Sequence, residues 1–247
     1  MLHQLARFSS VAPLIEETRP GSVLDVGSGS EGIAGWLGTE WSVTALDSSF
    51  EFIGAMSGPG RAARREFVGD ARALPFASQA FDVAVALDVV EHLAPKDRSR
   101  AIAELVRVAR RRVIVACPTG GAALAADGRL SGSLRARGMP APTWLVEHEL
   151  HGFPERDELS AQLGGHGAVH LIDNENLRWH EWLFRFEFRR PGFHTSRAAA
   201  RLLAKGLASR RPVRWLSRIA VRAVQGPNRA PSYRTIAVLD LHDGHPA

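Results

Sequence analysis

Residues 23–37, Val-Leu-Asp-Val-Gly-Ser-Gly-Ser-Glu-Gly-Ile-Ala-Gly-Trp-Leu, constrain this chain more than any other stretch. A short apolar run carrying one acid enters a glycine-rich turn and leaves with Ile33, Trp36 and Leu37 at helical spacing. The expected order is strand, tight loop, helix. Gly27 and Gly29 let the backbone turn sharply and let a ligand approach with no Cβ in the way. A helix beginning near Ser30 aims unpaired amides into that loop, which favours an electronegative ligand group. Residues 27–32 fit the pattern G-x-G-x-x-G, which also arises in plain strand-to-helix turns, so the residues beyond the loop decide between the two.

The next segments repeat the theme. Ser42–Leu46 reads as a second strand ending in Asp47. That acid comes about 20 residues after the glycine loop, where a βαβ unit places a carboxylate for ribose hydroxyls. A short helix over 50–56, a third strand over 64–68 and a fourth over 81–87 come next. Ser99–Arg110 carries helical periodicity, and 112–116 is a fifth strand stopped by Pro118. Ahead of them, 2–8 and 11–18 read as helical pieces broken at Pro13. Near-continuous apolar strands alternating with helices imply a parallel sheet covered on both faces.

The second half is less regular. Residues 120–142 are rich in Gly, Ala and Arg and read as a flexible or lid-like loop, followed by a helix over 155–163 and a sixth strand over 168–172. The last strand is Tyr233–Leu241. Between the final two strands, 173–231 reads as an insertion within one domain spanning 1–247. Trp179, Trp182, Leu183 and Phe186 recur at i, i+3, i+4, i+7, and Leu202, Leu203, Leu207 and Val213, Leu216, Ile219, Ala220 suggest two more amphipathic helices.

Charge concentrates in that insertion. Residues 176–230 hold 12 Arg and 1 Lys against Glu181 and Glu187, a local +11, while the whole chain is only +5. An electrostatic partner is therefore expected there. Arg201, Arg214, Arg218 and Arg222 opposite an apolar stripe are similar to an interfacial helix facing anionic lipid, and a core-packed helical subdomain with a solvated Arg face stays open beside it. With one Tyr and no reader motif, only charge speaks for nucleic acid, which is not expected. No apolar run reaches membrane-span length and the lone Cys117 ends an apolar run, so the expectation is a cytoplasmic protein with a peripheral inner-face contact as its one membrane option. Composition says nothing of oligomeric state.

Val-Leu-Asp-Val-Gly-Ser-Gly-Ser, the acid at Asp47, Gly-Asp-Ala-Arg-Ala-Leu-Pro-Phe at 69–76 and Phe-Asp-Val-Ala-Val-Ala-Leu-Asp-Val-Val-Glu-His-Leu at 81–93, in this order and spacing, resemble the class I S-adenosylmethionine-dependent methyltransferases of the small-molecule type. The resemblance covers about residues 20–172 and 232–241, leaving out the basic insertion. It implies an α/β, Rossmann-like, doubly wound seven-stranded sheet, mostly parallel with an antiparallel last strand, and S-adenosylmethionine across the carboxyl ends of the first strands. By the same resemblance, Asp25 and Gly27, Ser28 and Gly29 line the methionine part, and Asp47 with Ser48 meets the ribose. Asp70 and the Ala71 amide meet adenine, and the carbonyl near Asp88, beside Val89, takes the ammonium group. Glu31 departs from the pattern, since many members carry a glycine there and this chain carries it at Gly32.

A sulfonium methyl is already activated, so the protein must align donor and acceptor and supply a base only for a protonated acceptor. His92, His148 and His151 are the candidates, since imidazole titrates near neutrality. The spacing of three between His148 and His151 is not the i, i+4 pair of a zinc helix, so no metal is expected from it. The reading is methyl transfer to a small-molecule, glycan or lipid-linked acceptor, with oxygen favoured over carbon or nitrogen. The alternative is a non-catalytic module of the same fold that binds S-adenosylmethionine or a nucleotide and works through its basic helices. A nicotinamide dehydrogenase shares Gly27–Gly32 and Asp47 but predicts neither Gly69-Asp70-Ala71 nor the late terminal strand.

Overall fold

The computed structural model describes residues 2–30, 32–51, 63–188 and 231–241. Seven strands form one sheet: β1 Ser22–Val26, β2 Ser42–Asp47, β3 Ala63–Val68, β4 Phe81–Leu87, β5 Ala109–Pro118, β6 Val169–Asn176 and β7 Ser232–Asp240. Their order is β3-β2-β1-β4-β5-β7-β6. The first five pair in parallel, and β7 lies antiparallel between β5 and β6.

Strict alternation sends successive side chains to opposite faces, and both faces are buried. Leu24, Val26, Ala84, Ala86, Val113, Val115, Ala237 and Leu239 join one core with Ile102 and Leu105 of helix α2 (Pro95–Val108) and Leu159 and Leu163 of α5 (Arg156–Gly164). Val23, Val83, Val85, Leu87, Ile114, Ile236 and Val238 join the other, with Phe8, Val11 and Ile15 of α1 (Leu2–Glu16). Cys117, at the end of β5, is buried as expected.

Several elements differ from the sequence reading, each for a physical reason. The expected break at Pro13 does not occur, and α1 runs through it. Proline in a helix costs about 3 kcal/mol, and burial of Phe8, Val11 and Ile15 on one sheet face offsets it. Among the described residues the glycine loop leads only into a single 3-10 turn, Ala34–Trp36, among Gly32, Gly35 and Gly38, so no helix macrodipole points into the loop. Helix α2 stops at Val108 because Arg110 and Arg111 already sit in β5 and pair with Asp82.

Residues 120–142 are mostly a helix rather than a lid-like loop: α3 spans Gly120–Arg135. It is followed by α4, Thr143–His151. The β6 strand extends past 172 through Asn174, Glu175 and Asn176. In α6, Leu177–Glu187, the buried face is Leu177, His180, Leu183, Phe184 and Glu187. The expected stripe is rotated off it, with Trp182 54% exposed. The expected helix over 50–56 from residue 52 onward, the two later amphipathic helices and Arg201, Arg214, Arg218 and Arg222 lie outside the described residues. No helix among the described residues is long and apolar enough to cross a membrane.

Candidate active site

A cavity of about 920 Å³ opens over the carboxyl ends of β1, β2 and β4 and runs toward α4, α6 and the start of β7. Its first end is built from backbone. Gly27 has φ +66°, and a Cβ there would stand 2.3 Å from Cγ2 of Val89. Gly29 has φ +55° with open space where its Cβ would be. The amides of Gly27 and Ser28 both donate to the Leu46 carbonyl, at 2.7 and 3.2 Å, which ties the loop to β2. Asp47 fixes the loop from the other side: Oδ2 accepts from the Gly29 amide at 2.9 Å and Oδ1 from the Ser49 amide at 3.0 Å.

Of the ten residues expected at the cofactor, Gly27, Gly29, Asp47, Ser48, Asp70, Ala71, Asp88 and Val89 line this cavity, whereas Asp25 and Ser28 do not. Asp25 is buried under the loop, where Oδ2 accepts from the Ile33 amide at 2.8 Å. It shapes the cradle from below. Asp70 is forked by Arg72, whose Nε and Nη2 donate to it at 3.0 and 2.7 Å, and that guanidinium holds the carboxyl below its usual range.

The second end is a network of buried charges. Asp88, with φ +55°, accepts from Arg234 Nε and Nη2 at 2.7 and 2.8 Å and from Arg7 Nη1 at 3.2 Å. Burial works against that charge, but Arg234 and Arg7 hold the Asp88 carboxyl well below the usual range. Arg234 Nη1 donates on to Glu175 at 2.9 Å, and Glu175, itself at φ +62°, pairs with His180 Nδ1 at 3.0 Å. Against a burial that lowers it, Glu175 and Asp127 hold the His180 pKa above its ordinary value. Asp127 accepts from the Tyr233 hydroxyl at 3.0 Å and from His148 Nδ1 at 2.7 Å.

His148, His92 and Glu91 are among the groups that line the cavity at this end. His148 is buried with Nδ1 on Asp127, and its Nε2 has no partner among the described residues. His92 has Nδ1 on Glu147 at 2.7 Å. Glu91 is fully buried with neither carboxylate oxygen partnered among the described residues, and burial together with the Asp88 charge pushes its pKa well up. Of the three histidines expected as bases, His92 and His148 line the cavity and His151 does not. His151 closes α4, and its carbonyl accepts from Arg98 at 3.0 Å.

Asp127, Glu175, His180, Tyr233 and Arg234 are absent from the site expected on sequence. A signal exists for two of them. Asp127 sits within the spacing Ala123, Ala126, Leu130, Leu134, a lone acid on a helix's apolar face. Arg234 shares the parity of Ile236 and Val238, a lone cation on the buried face of a strand.

The first end fits a nucleoside with an amino-acid tail, since Gly29 leaves its Cβ space open and Asp47 presents a carboxylate already oriented by two amides. Residues 24–117 match the family model of a methyltransferase domain. No curated protein matches the chain. Among solved structures it is similar to the YcgJ protein from Bacillus subtilis, at 17% identity over 97% of this chain and 99% of that one, with a TM-score of 0.56. It is also similar to magnesium protoporphyrin IX methyltransferase from Synechocystis PCC 6803 with bound SAH, at 20% identity over 70% and 76% of the two chains, with a TM-score of 0.52. These likenesses bear out the expected fold. The matched segment spans the glycine loop, Asp47, Asp70 and the whole of β4, and it is over this stretch, together with the fold, that the chain is similar to S-adenosylmethionine-dependent methyltransferases.

Proposed function

We propose that this chain transfers the methyl group of S-adenosylmethionine to a hydroxyl oxygen of a small-molecule, glycan or lipid-linked acceptor. The observation that carries the reading is the cavity that joins the glycine loop and Asp47 at one end to His148, with its unpartnered Nε2, at the other. Asp47 takes the ribose hydroxyls with lone pairs its two amide donors leave over. Asp70, steadied by Arg72, and the Ala71 amide take adenine, and the turn at Asp88 and Val89 takes the amino-acid tail.

The sulfonium supplies an activated methyl group for in-line displacement. The chain therefore has to align the acceptor and loosen its proton. His148 is the group assigned to loosening the proton. Its Nδ1–H donates to Asp127, which fixes the tautomer and leaves Nε2 with its lone pair for the acceptor. Trp144, Phe184 and Tyr233 give the acceptor an apolar wall, as ligand sites commonly have.

The test is production of S-adenosylhomocysteine from S-adenosylmethionine with a panel of hydroxylated acceptors. His148→Gln is expected to lower kcat by about 100-fold or more, the usual scale of acid–base assistance, with S-adenosylhomocysteine affinity unchanged. Equal turnover by His148→Gln and wild type on a responsive acceptor contradicts the assignment.

A further inference from the structure

Glu91, His92 and His148 bring one carboxylate oxygen and two imidazole nitrogens within 4.8 Å of one another at the acceptor end of the cavity. They come from separate elements: Glu91 and His92 from the 3-10 turn Val90–His92 after β4, His148 from α4. Proximity in sequence pairs His148 with His151. The fold instead sets His148 against His92, with ring centroids 4.9 Å apart.

Two features separate this trio from a chance cluster. First, each imidazole has Nδ1 committed to a carboxylate, Glu147 for His92 and Asp127 for His148, both at 2.7 Å. That leaves Nε2 as the lone-pair nitrogen of each ring, and carboxylate–histidine pairs of this kind are how proteins orient imidazole ligands toward a metal. Second, among the described residues the fully buried Glu91 has no partner for either oxygen, nor has the buried Nε2 of His148. A buried carboxylate without a partner is costly, and coordinating a cation is one of the ways it is satisfied.

We propose that Glu91, His92 and His148 form a binding site for one divalent first-row transition-metal ion, with its open coordination positions facing the cavity. Two nitrogens and one carboxylate oxygen suit zinc, iron, cobalt or nickel, whereas magnesium and calcium seek oxygen-only shells. Metal–ligand distances near 2.1 Å place donors about 3.4 Å apart in a tetrahedron, so atoms now within 4.8 Å of one another close in by up to about 1.4 Å on binding. The reading of this end as the acceptor end bears only on the cation's role: an ion here takes the His148 Nε2 lone pair, so in the ion-bound protein His148 is a ligand rather than a base, and the acceptor oxygen would be held and acidified by the cation. Binding of the ion stands independently of it.

The experiment titrates cobalt(II), whose visible spectrum reports donor set and geometry, into chelator-treated full-length protein, with zinc displacement as a second readout. One equivalent should bind with a tetrahedral or five-coordinate spectrum, be displaced by zinc, and be weakened at least 10-fold by Glu91→Gln and by His148→Gln. His151→Ala should leave it unchanged. Should Glu91→Gln fail to fold, His92→Gln, at a partly exposed side chain, carries the same prediction. Absence of stoichiometric binding by folded wild-type protein, or binding that these variants leave intact, overturns the proposal. S-adenosylhomocysteine titration of the same samples keeps the two readings apart, because the cofactor end can bind while the cobalt titration fails.

Discussion

Replacing Arg234 with methionine is expected to cost about 3–5 kcal/mol of folding stability, the range for removing one partner of a buried ion pair. Arg234 is 3% exposed and gives three short charge-assisted bonds, at 2.7 and 2.8 Å to Asp88 and 2.9 Å to Glu175. Without it, Asp88 keeps Arg7 at 3.2 Å, and Glu175 keeps its pair with His180 at 3.0 Å. Both acids also sit at positive φ, a backbone conformation that asparagine and aspartate tolerate better than glutamate and that each holds only under the constraint of its contacts. For a chain of this size about 1 kcal/mol moves Tm by roughly 2–4 °C, so the expected drop is roughly 6–20 °C. Thermal and urea unfolding of wild type, Arg234→Met, Asp88→Asn and the double variant measure it. The double variant should lose less than the sum of the singles, because each single already removes the same Asp88–Arg234 ion pair. A loss below about 1 kcal/mol, or strict additivity, refutes the view that this ion cluster holds the turn after β4 in place.

The glycine loop and the buried acid beside it can be probed in the same way. Both glycines sit at positive φ, +66° and +55°, so alanine is strained at either, but only at Gly27 does its Cβ also stand 2.3 Å from Val89; Gly27→Ala should therefore lose more stability than Gly29→Ala, whose Cβ meets open space. Equal melting temperatures for the two contradict this. In chelator-treated protein, Glu91→Gln should raise Tm at pH 8 more than at pH 4.5. The sign follows from a folded-state pKa raised by burial and Asp88: the stability this group contributes is complete below the ordinary carboxylate range and is lost as pH rises toward the folded value. Glutamine lacks that loss, and a Tm difference independent of pH speaks against a buried, unpaired Glu91.

Strands in the middle of this sheet were legible because each carries a nearly continuous apolar run that needs both faces covered. The reading of β4 as 81–87 coincides with Phe81–Leu87, and β2 with Asp47 at its end is placed as expected. Polarity misled where charge is buried. The stretch Asn174–Asn176 reads as past the end of a strand, yet it continues β6 because Arg234 on β7 supplies partners for Asn174 and Glu175. In α6 the aromatic stripe suggested one face, while the buried face includes His180 and Glu187, polar residues that only the tertiary network makes tolerable. Helix α3 hid behind Gly121, Gly128 and Gly132, which lower propensity, although its apolar spacing was present.

The end proposed for the cofactor was readable because glycine geometry and an acid after β2 are local in sequence. The end proposed for the acceptor was not, since His92, His148, His180 and Arg234 converge from the turn after β4, from α4, from α6 and from β7 across more than half the chain. Such a site exists only once the sheet order has been set.

Cofactor binding at the glycine loop and Asp47 underlies the proposed methyl transfer, and calorimetric titration of the full chain with S-adenosylhomocysteine, beside Asp47→Ala at matched salt, measures it. Micromolar binding that Asp47→Ala weakens by about 10-fold or more, roughly 1.4 kcal/mol, is the predicted result. A folded wild-type protein that binds no S-adenosylhomocysteine, or an Asp47→Ala variant that binds as well as wild type, contradicts it.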